Sequence, residues 1–277
     1  MSRSSIRGWN MKKVTAFIGS ARKKFTYDAT RLFLENLKSL GDVEYEIMML
    51  SDHQVGTCRG CKICFVKGEE FCPMKDDRDL LIGKIAASDG VVFATPTYSF
   101  QVSGIMKVFL DRLGFVCHRP RYFGKAFTNI VTQGINGGGK IMKYLNYLAM
   151  TWGFNTVKGS CHTAFEPMTD KERRKVERAL EGHSRRFHEM MLKPGLPPPT
   201  LIGIIAFQMS RTSMKNLLDE RSRDFTYYRD KGWLESGYYY PVRVGPVLKG
   251  VGRLSEAIAN RMWPPAKKGK KTGGSHI

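Results

Sequence analysis

The stretch Val14-Thr15-Ala16-Phe17-Ile18-Gly19-Ser20-Ala21-Arg22 decides the fold of this chain. Five apolar or β-branched residues make a strand, glycine and serine end it, and a helical pattern opens near Thr26. A helix start leaves backbone N–H groups unpaired and carries the positive end of the helix dipole. A strand that turns through Gly-Ser into a helix therefore suits a phosphate, and Arg22 with the Ser20 and Thr26 hydroxyls adds donors.

The alternation continues outward from that turn. Pattern and length predict strands at 12–19, 43–51, 90–95, 126–133 and 154–160, and helices at 26–40, 77–87, 102–115, 139–152 and 169–192. Val91-Val92-Phe93-Ala94 and Phe127-Thr128-Asn129-Ile130-Val131 are short and mostly apolar, as strands covered on both faces are. The expected class is α/β, a doubly wound parallel sheet. Right-handed crossovers then bring the loops after residues 19, 51, 95 and 133 to one sheet edge, where ligands of such sheets bind.

The chain has 277 residues and 42% hydrophobic content, enough for a full core in one large domain with or without an extension. No apolar run approaches the roughly 18–20 residues that cross a bilayer. Met1 to Asn10 lack the apolar core of a signal peptide, so residues 1–11 read as a leader and the expected location is cytoplasmic. A net charge of +20 asks for a polyanionic partner, but its distribution argues against one. Lys171 to Lys193 is interspersed with Glu172, Glu177, Glu181 and Glu189 and reads as a solvated helix face, and Lys267 to Lys271 reads as a polybasic tail. No zinc-finger, RNP-type or helix-turn-helix pattern is present, so nucleic acid is not an expected partner. Val247 to Trp263 is amphipathic and precedes the tail; a solvated tail is a simpler reading than contact with an anionic membrane.

The third loop carries a resemblance. Thr95-Pro96-Thr97-Tyr98-Ser99, followed by Ser103-Gly104-Ile105-Met106-Lys107 and Phe109-Leu110-Asp111-Arg112, resembles the flavin loop and following helix of the NADPH-dependent FMN reductase group of the flavodoxin-like superfamily. Gly19-Ser20-Ala21-Arg22 with Thr26 is similar to that group's Gly-Ser-x-Arg-x-x-x-Thr phosphate motif, although Lys24-Phe25 stands where members often have Gly-Asn. The resemblance implies a five-stranded parallel sheet in the order 2-1-3-4-5 and FMN as cofactor. It puts the phosphate at Ser20, Arg22, Phe25 and Thr26, and the ring beside Pro96, Thr97, Tyr98, Ser99, Gln133 and Gly134. Pro96 fixes the backbone, Tyr98 offers an aromatic face, and the N–H groups of residues 97–99 can reach a polar ring edge. The resemblance also implies NAD(P)H as reductant and a small acceptor such as a quinone, a free flavin, an azo or a nitro compound. A homodimer or homotetramer is implied as well. Flavin chemistry needs little acid–base help, so no catalytic base is nominated. His118 and Tyr122 could face a substrate over the ring, a surface histidine being the plainer reading, and Asp111-Arg112 reads as a fold-stabilising ion pair.

Cys58, Cys61, Cys64 and Cys72 are spaced by two, two and seven intervening residues. Thiols so close in a reducing compartment suit a [4Fe–4S] cluster, a structural zinc or no metal at all. The pattern is similar to that of the iron–sulfur flavoproteins, a branch of the same superfamily. For them it implies electron transfer between cluster and FMN, with a ferredoxin-type partner. Cys117 and Cys161 read as bystanders. The expected domains are 12–193 for flavin binding and 194–277 for a C-terminal extension. Within the extension, Pro197-Pro198-Pro199 reads as linker, Leu201 to Met209 as a strand or helix, and Phe225 to Tyr240 as an aromatic stretch that packs on the flavin domain, on a second subunit, or as a lid.

Overall fold

The computed structural model describes residues 11–163, 167–193 and 195–265; the leader before Met11, Pro194 and the Lys267–Lys271 tail lie outside the described residues. The elements in chain order begin β1 (Lys12–Ile18), α1 (Phe25–Lys38), β2 (Val43–Met49), α2 (Ile63–Val66), α3 (Arg78–Ala87), β3 (Gly90–Tyr98), β4 (Gln101–Val102), α4 (Gly104–Arg112), α5 (Phe115–His118) and β5 (Ala126–Gln133). They continue α6 (Gly138–Thr151), β6 (Asn155–Thr156), β7 (Ser160–Thr163), α7 (Asp170–Leu192), α8 (Leu201–Leu217), α9 (Arg223–Asp230) and α10 (Pro246–Met262). Two compact units result. One joins residues 1–59 with 74–196, and the other joins 60–73 with 197–277.

The first unit is the predicted parallel sheet. Its strands run β2-β1-β3-β5-β6, which in terms of the five expected positions is the order 2-1-3-4-5. Ala16 sits beside Val92, and Val92 beside Thr128. Alternation then sends Ala16, Ile18, Val92 and Ala94 to one face, against Phe33, Leu34 and Leu37 of α1 and Leu180 and Phe187 of α7. Phe17 and Phe93 go to the other face, where Phe17 stacks on Phe109 of α4 at 5.4 Å and Phe93 meets Phe127 edge-on at 5.1 Å. Each phenylalanine so buried contributes on the order of 2–3 kcal/mol. A capping box between Thr169 and Glu172 opens α7, and its Leu180, His183, Ser184, Phe187 and Met191 recur on one buried stripe, leaving the charged remainder as the solvated face the sequence predicts.

Two expected elements are divided. The strand expected at 154–160 is β6 and β7 with a break at 157–159, where Gly159 lies against Asn129 so closely that a Cβ would strike its carbonyl and its side-chain oxygen. The helix expected at 102–115 loses its first turn to β4, because Ser103 accepts the Met106 N–H as the cap of α4; it ends at Arg112, with Gly114 leading into α5.

In the second unit α8 and α10 pack as a pair. Gly252 lies at their contact, where a Cβ would sit 3.4 Å from Ile204, an ordinary packing distance. Leu201 to Met209 is thus helix, capped by Thr200, and the aromatic stretch forms a cluster of Phe207, Tyr228, Trp233 and Tyr239 with the Trp233 indole donating to the Tyr239 carbonyl at 2.8 Å. Ser222 donates to the Phe65 carbonyl at 3.3 Å, tying residues 60–73 to the C-terminal helices. No helix among the described residues is long and apolar enough to cross a membrane.

Candidate functional site

Gly19 ends β1 with its N–H on the Ala94 carbonyl, and a Cβ there would lie 2.6 Å from that of Met106, so the β1 loop and α4 approach as only glycine allows. The Ser103 hydroxyl donates to the Gly19 carbonyl, and the Ser103 N–H bonds the Thr95 hydroxyl at 3.1 Å, so the first and third loops are fastened together. The hydroxyls expected to face a phosphate are otherwise engaged. Ser20 Oγ donates to the Arg22 carbonyl at 3.0 Å and shapes the turn, and Thr26 Oγ1 is 2.7 Å from Thr132 Oγ1, buried between α1 and β5. Helix α1 opens at Phe25 with no side-chain cap from Lys24, leaving its first N–H groups to a ligand, and Arg22, Lys23 and Lys24 are exposed around them. The arrangement still fits a phosphate, on backbone N–H groups and Arg22.

The third loop is a tight hairpin. Thr97 pairs with Val102 and Tyr98 with Gln101, so the ladder takes part of the backbone that the sequence reading leaves for a ligand. Between them Ser99 and Phe100 have φ of +48° and +63°, the mirror-image turn that normally takes asparagine or glycine. A phenylalanine there is strained, and such strain is kept where the surroundings hold it for a purpose. The turn presents the Tyr98 and Phe100 rings to solvent, 50% and 69% exposed. Thr97 Oγ1 is buried at the hairpin's root without a hydrogen-bond partner among the described residues.

The fourth loop meets this hairpin. Gly137, at φ +97°, is where a Cβ would come within 3.2 Å of the Phe100 ring and 3.6 Å of Thr97, so the two loops close to contact distance. Gln133 serves inside the loop: its Oε1 accepts the Gly138 N–H at 2.8 Å and its Nε2 donates to Thr163 at 3.3 Å. Gly134, Ile135 and Asn136 remain exposed. Beyond Phe100 lies an open groove of about 720 Å³ along α6, lined by Gly137, Lys140, Lys143, Asn146 and Lys158. Sequence reading passed over Phe100 and these lysines; the hairpin's turn chemistry is concealed by an unsuited residue, and the groove exists only once α6 lies beside the β6–β7 connection.

Other expectations change. Tyr122 is a core residue, 2% exposed and stacked 4.7 Å from Phe154, so it faces no substrate. His118 is half-buried on α5, where burial and the neighbouring Arg119 charge hold its imidazole below the ordinary value. Asp111 pairs with Lys107 one helical turn back. Arg112 turns inward instead, bonding the Gly56 carbonyl at 2.9 Å and both oxygens of Asp76, whose carboxylate also accepts the N–H groups of Gly56 and Arg78. Burial pushes the Asp76 carboxyl up, but Arg112 and those N–H groups outweigh it and hold it below the usual range. Gly56 and Asp76 flank the four cysteines, so one buried arginine clamps both ends of that segment. Cys58 and Cys61 are exposed, Cys64 and Cys72 half-buried. Among the described residues no group of three or more His, Cys, Asp or Glu side chains is gathered as for a metal. Four thiols within fifteen residues are the donor chemistry of a cluster.

Residues 12–165 match the sequence model of the NADPH-dependent FMN reductase family. The chain belongs to that family. An FMN reductase family member of this kind has relatives under another name: an iron–sulfur flavoprotein of Archaeoglobus fulgidus is 33% identical over 144 residues, 51% of this chain and 64% of that protein. A second from the same organism is 35% identical over 128 residues, so the chain spans somewhat less than two thirds of either. An iron–sulfur flavoprotein of Clostridioides difficile is 26% identical over 230 residues, 81% of this chain and 98% of that one. Among solved structures, RosB with a bound 8-demethyl-8-formylriboflavin-5′-phosphate intermediate is 12% identical with a TM-score of 0.53, over 96% of this chain and 99% of that one. An azoreductase from Bacillus anthracis is 14% identical with a TM-score of 0.52, over 65% and 100%. At such identities these two report the fold of this family member.

Proposed function

We propose that this protein is an FMN-dependent NAD(P)H oxidoreductase that passes electrons to a small acceptor such as a quinone, free flavin, azo or nitro compound. The observation that carries the reading is the uncapped start of α1, ringed by Arg22 and fastened through Gly19, Ser103 and Thr95 to the strained Tyr98–Phe100 hairpin. Phosphate would sit on the N–H groups of the α1 turn with Arg22 beside it. The ring would lie between the hairpin and the 133–137 loop, where Thr97 Oγ1 is the buried polar atom still to be paired. Bound there, FMN supplies the two-electron and one-electron chemistry. The protein positions it, and the exposed Tyr98, Phe100 and Ile135 side chains give an apolar rim for a flat acceptor. A cytoplasmic location and assembly as a homodimer or homotetramer belong to the same reading.

Arg22→Ala is expected to weaken FMN about 10- to 100-fold in a fluorescence titration, the usual effect of losing one charged phosphate contact. Wild-type affinity in the variant, or wild-type protein that takes up no FMN, overturns the reading.

A second reading, electron transfer between FMN and a [4Fe–4S] cluster on Cys58, Cys61, Cys64 and Cys72 with a ferredoxin-type partner, is favoured by the four thiols and the names of the relatives. Protein purified without oxygen is then expected to carry about four irons per chain with matching sulfide, and Cys64→Ser to lose them while keeping FMN. Iron at trace level sinks this second reading and leaves the first standing.

A further inference from the structure

The groove along α6 has a consistent charge and a fixed wall. Lys140 and Lys143 are one turn apart on α6, and Lys158 projects from the β6–β7 connection into the same 720 Å³ space. None of the three makes an ion pair among the described residues, and no carboxylate lines the groove. Asn146 is held at the groove wall: its Oδ1 accepts from the buried Asn129 amide at 2.8 Å, which turns its own NH₂ to serve as a donor. At the near end stands the exposed Phe100 ring, in a backbone conformation that a bulky residue does not adopt by preference. From Gly137 to Asn146 the helix runs about 14 Å. An aromatic face at one end and three unpaired ammonium groups along the side describe a receptor for a phosphorylated aromatic ligand.

We propose that this groove receives the adenosine 2′-phosphate end of NADPH, with Lys140, Lys143 and Lys158 holding its 2′-phosphate, Asn146 donating to the ribose and Phe100 shared as the wall between groove and flavin loop. The proposal rests on the reading of the neighbouring loops as a flavin site fed by a nicotinamide dinucleotide. It adds which end of that dinucleotide goes where, and it makes the groove the source of discrimination against NADH, which lacks the 2′-phosphate. Lysine ammonium groups suit this task as point charges, each contributing a factor of roughly ten.

The test uses the full-length protein and two readouts. Isothermal titration with adenosine 2′,5′-bisphosphate is expected to show binding to wild type that falls about tenfold in Lys140→Ala and in Lys158→Ala, and about 100-fold or more in the variant lacking all three lysines. Steady-state oxidation is expected to show KM for NADPH rising by the same factors, while KM for NADH and kcat with either nucleotide hold. Binding of the bisphosphate unchanged in the triple variant, or a KM that rises equally for NADPH and NADH, overturns the assignment. Bisphosphate binding that depends on the lysines in a protein whose flavin neither nucleotide reduces would keep the groove and remove the reductase reading.

Discussion

Arg112→Met is expected to destabilise the protein by about 3–5 kcal/mol, because it strands the Asp76 carboxylate in a place built for a guanidinium. The Arg112 side chain is 2% exposed and that of Asp76 12%. Methionine fills much of the volume but brings no charge, and the two N–H groups left on Asp76 do not replace a two-pronged cation. Arg112→Lys should recover only part of the loss, since an ammonium cannot reach the Gly56 carbonyl and both carboxylate oxygens together. Urea unfolding measures both. A loss below about 1 kcal/mol would show that the clamp is no more than a surface ion pair.

Acid is expected to unfold this protein well before its carboxylates titrate. His183 is fully buried on α7 with Nε2 2.6 Å from Thr128 Oγ1 and Nδ1 2.9 Å from Ser160 Oγ, and the same Ser160 oxygen is 2.9 Å from His162 Nε2. Thr128 donates its one hydroxyl proton to the Val157 carbonyl at 3.3 Å. The roles then follow in order: Thr128 accepts from His183 Nε2–H, His183 Nδ1 accepts from Ser160, and Ser160 accepts from His162. Both imidazoles are neutral in this chain, and burial lowers their pKa values to about 3 for His183 and about 4 for His162. The unfolded chain, with ordinary values near 6.5, binds up to two more protons than the folded one between about pH 4 and 6.5. Stability is therefore complete above pH 6.5 and falls as pH drops, by as much as about 2.7 kcal/mol per unit. At pH 4.5 about 5 kcal/mol would be gone, a large part of the stability of a typical domain. Denaturant midpoints between pH 4.5 and 7.5 measure the slope, and His183→Gln should cut it by half. An unchanged slope in that variant would refute the assignment. Asp76 acts in a lower window, since a depressed carboxyl loses its contribution only below pH 4.

The sheet was legible because each strand is announced by its own residues: Val91 to Ala94 cannot be other than buried, and Gly19 marks a turn by being the one residue that fits against Met106. The loops converge for the same topological reason whatever they contain. Side-chain roles at the site were less legible. Ser20 and Thr26 carry hydroxyls that suit a phosphate on paper, but Ser20 gives its one proton to the Arg22 carbonyl and Thr26 is buried against the Thr132 hydroxyl. Asp111-Arg112 misled for a geometric reason. Neighbours on a helix point 100° apart, so Arg112 finds a partner 36 residues back while Asp111 looks to the turn before it. Phe100 was invisible because its role depends on a positive φ that its side chain resists, and the lysines of the groove lie on two elements that sequence does not bring together.

The second unit is assembled from residues 60–73 and 197–277, with 123 residues of the other unit between them. At the usual pace of translation, about 5–20 residues per second, the ribosome emits Cys61, Cys64 and Cys72 roughly 6–25 s before the first helix they fold with. For that interval the three thiols belong to a nascent segment without the C-terminal helices from which its unit is built.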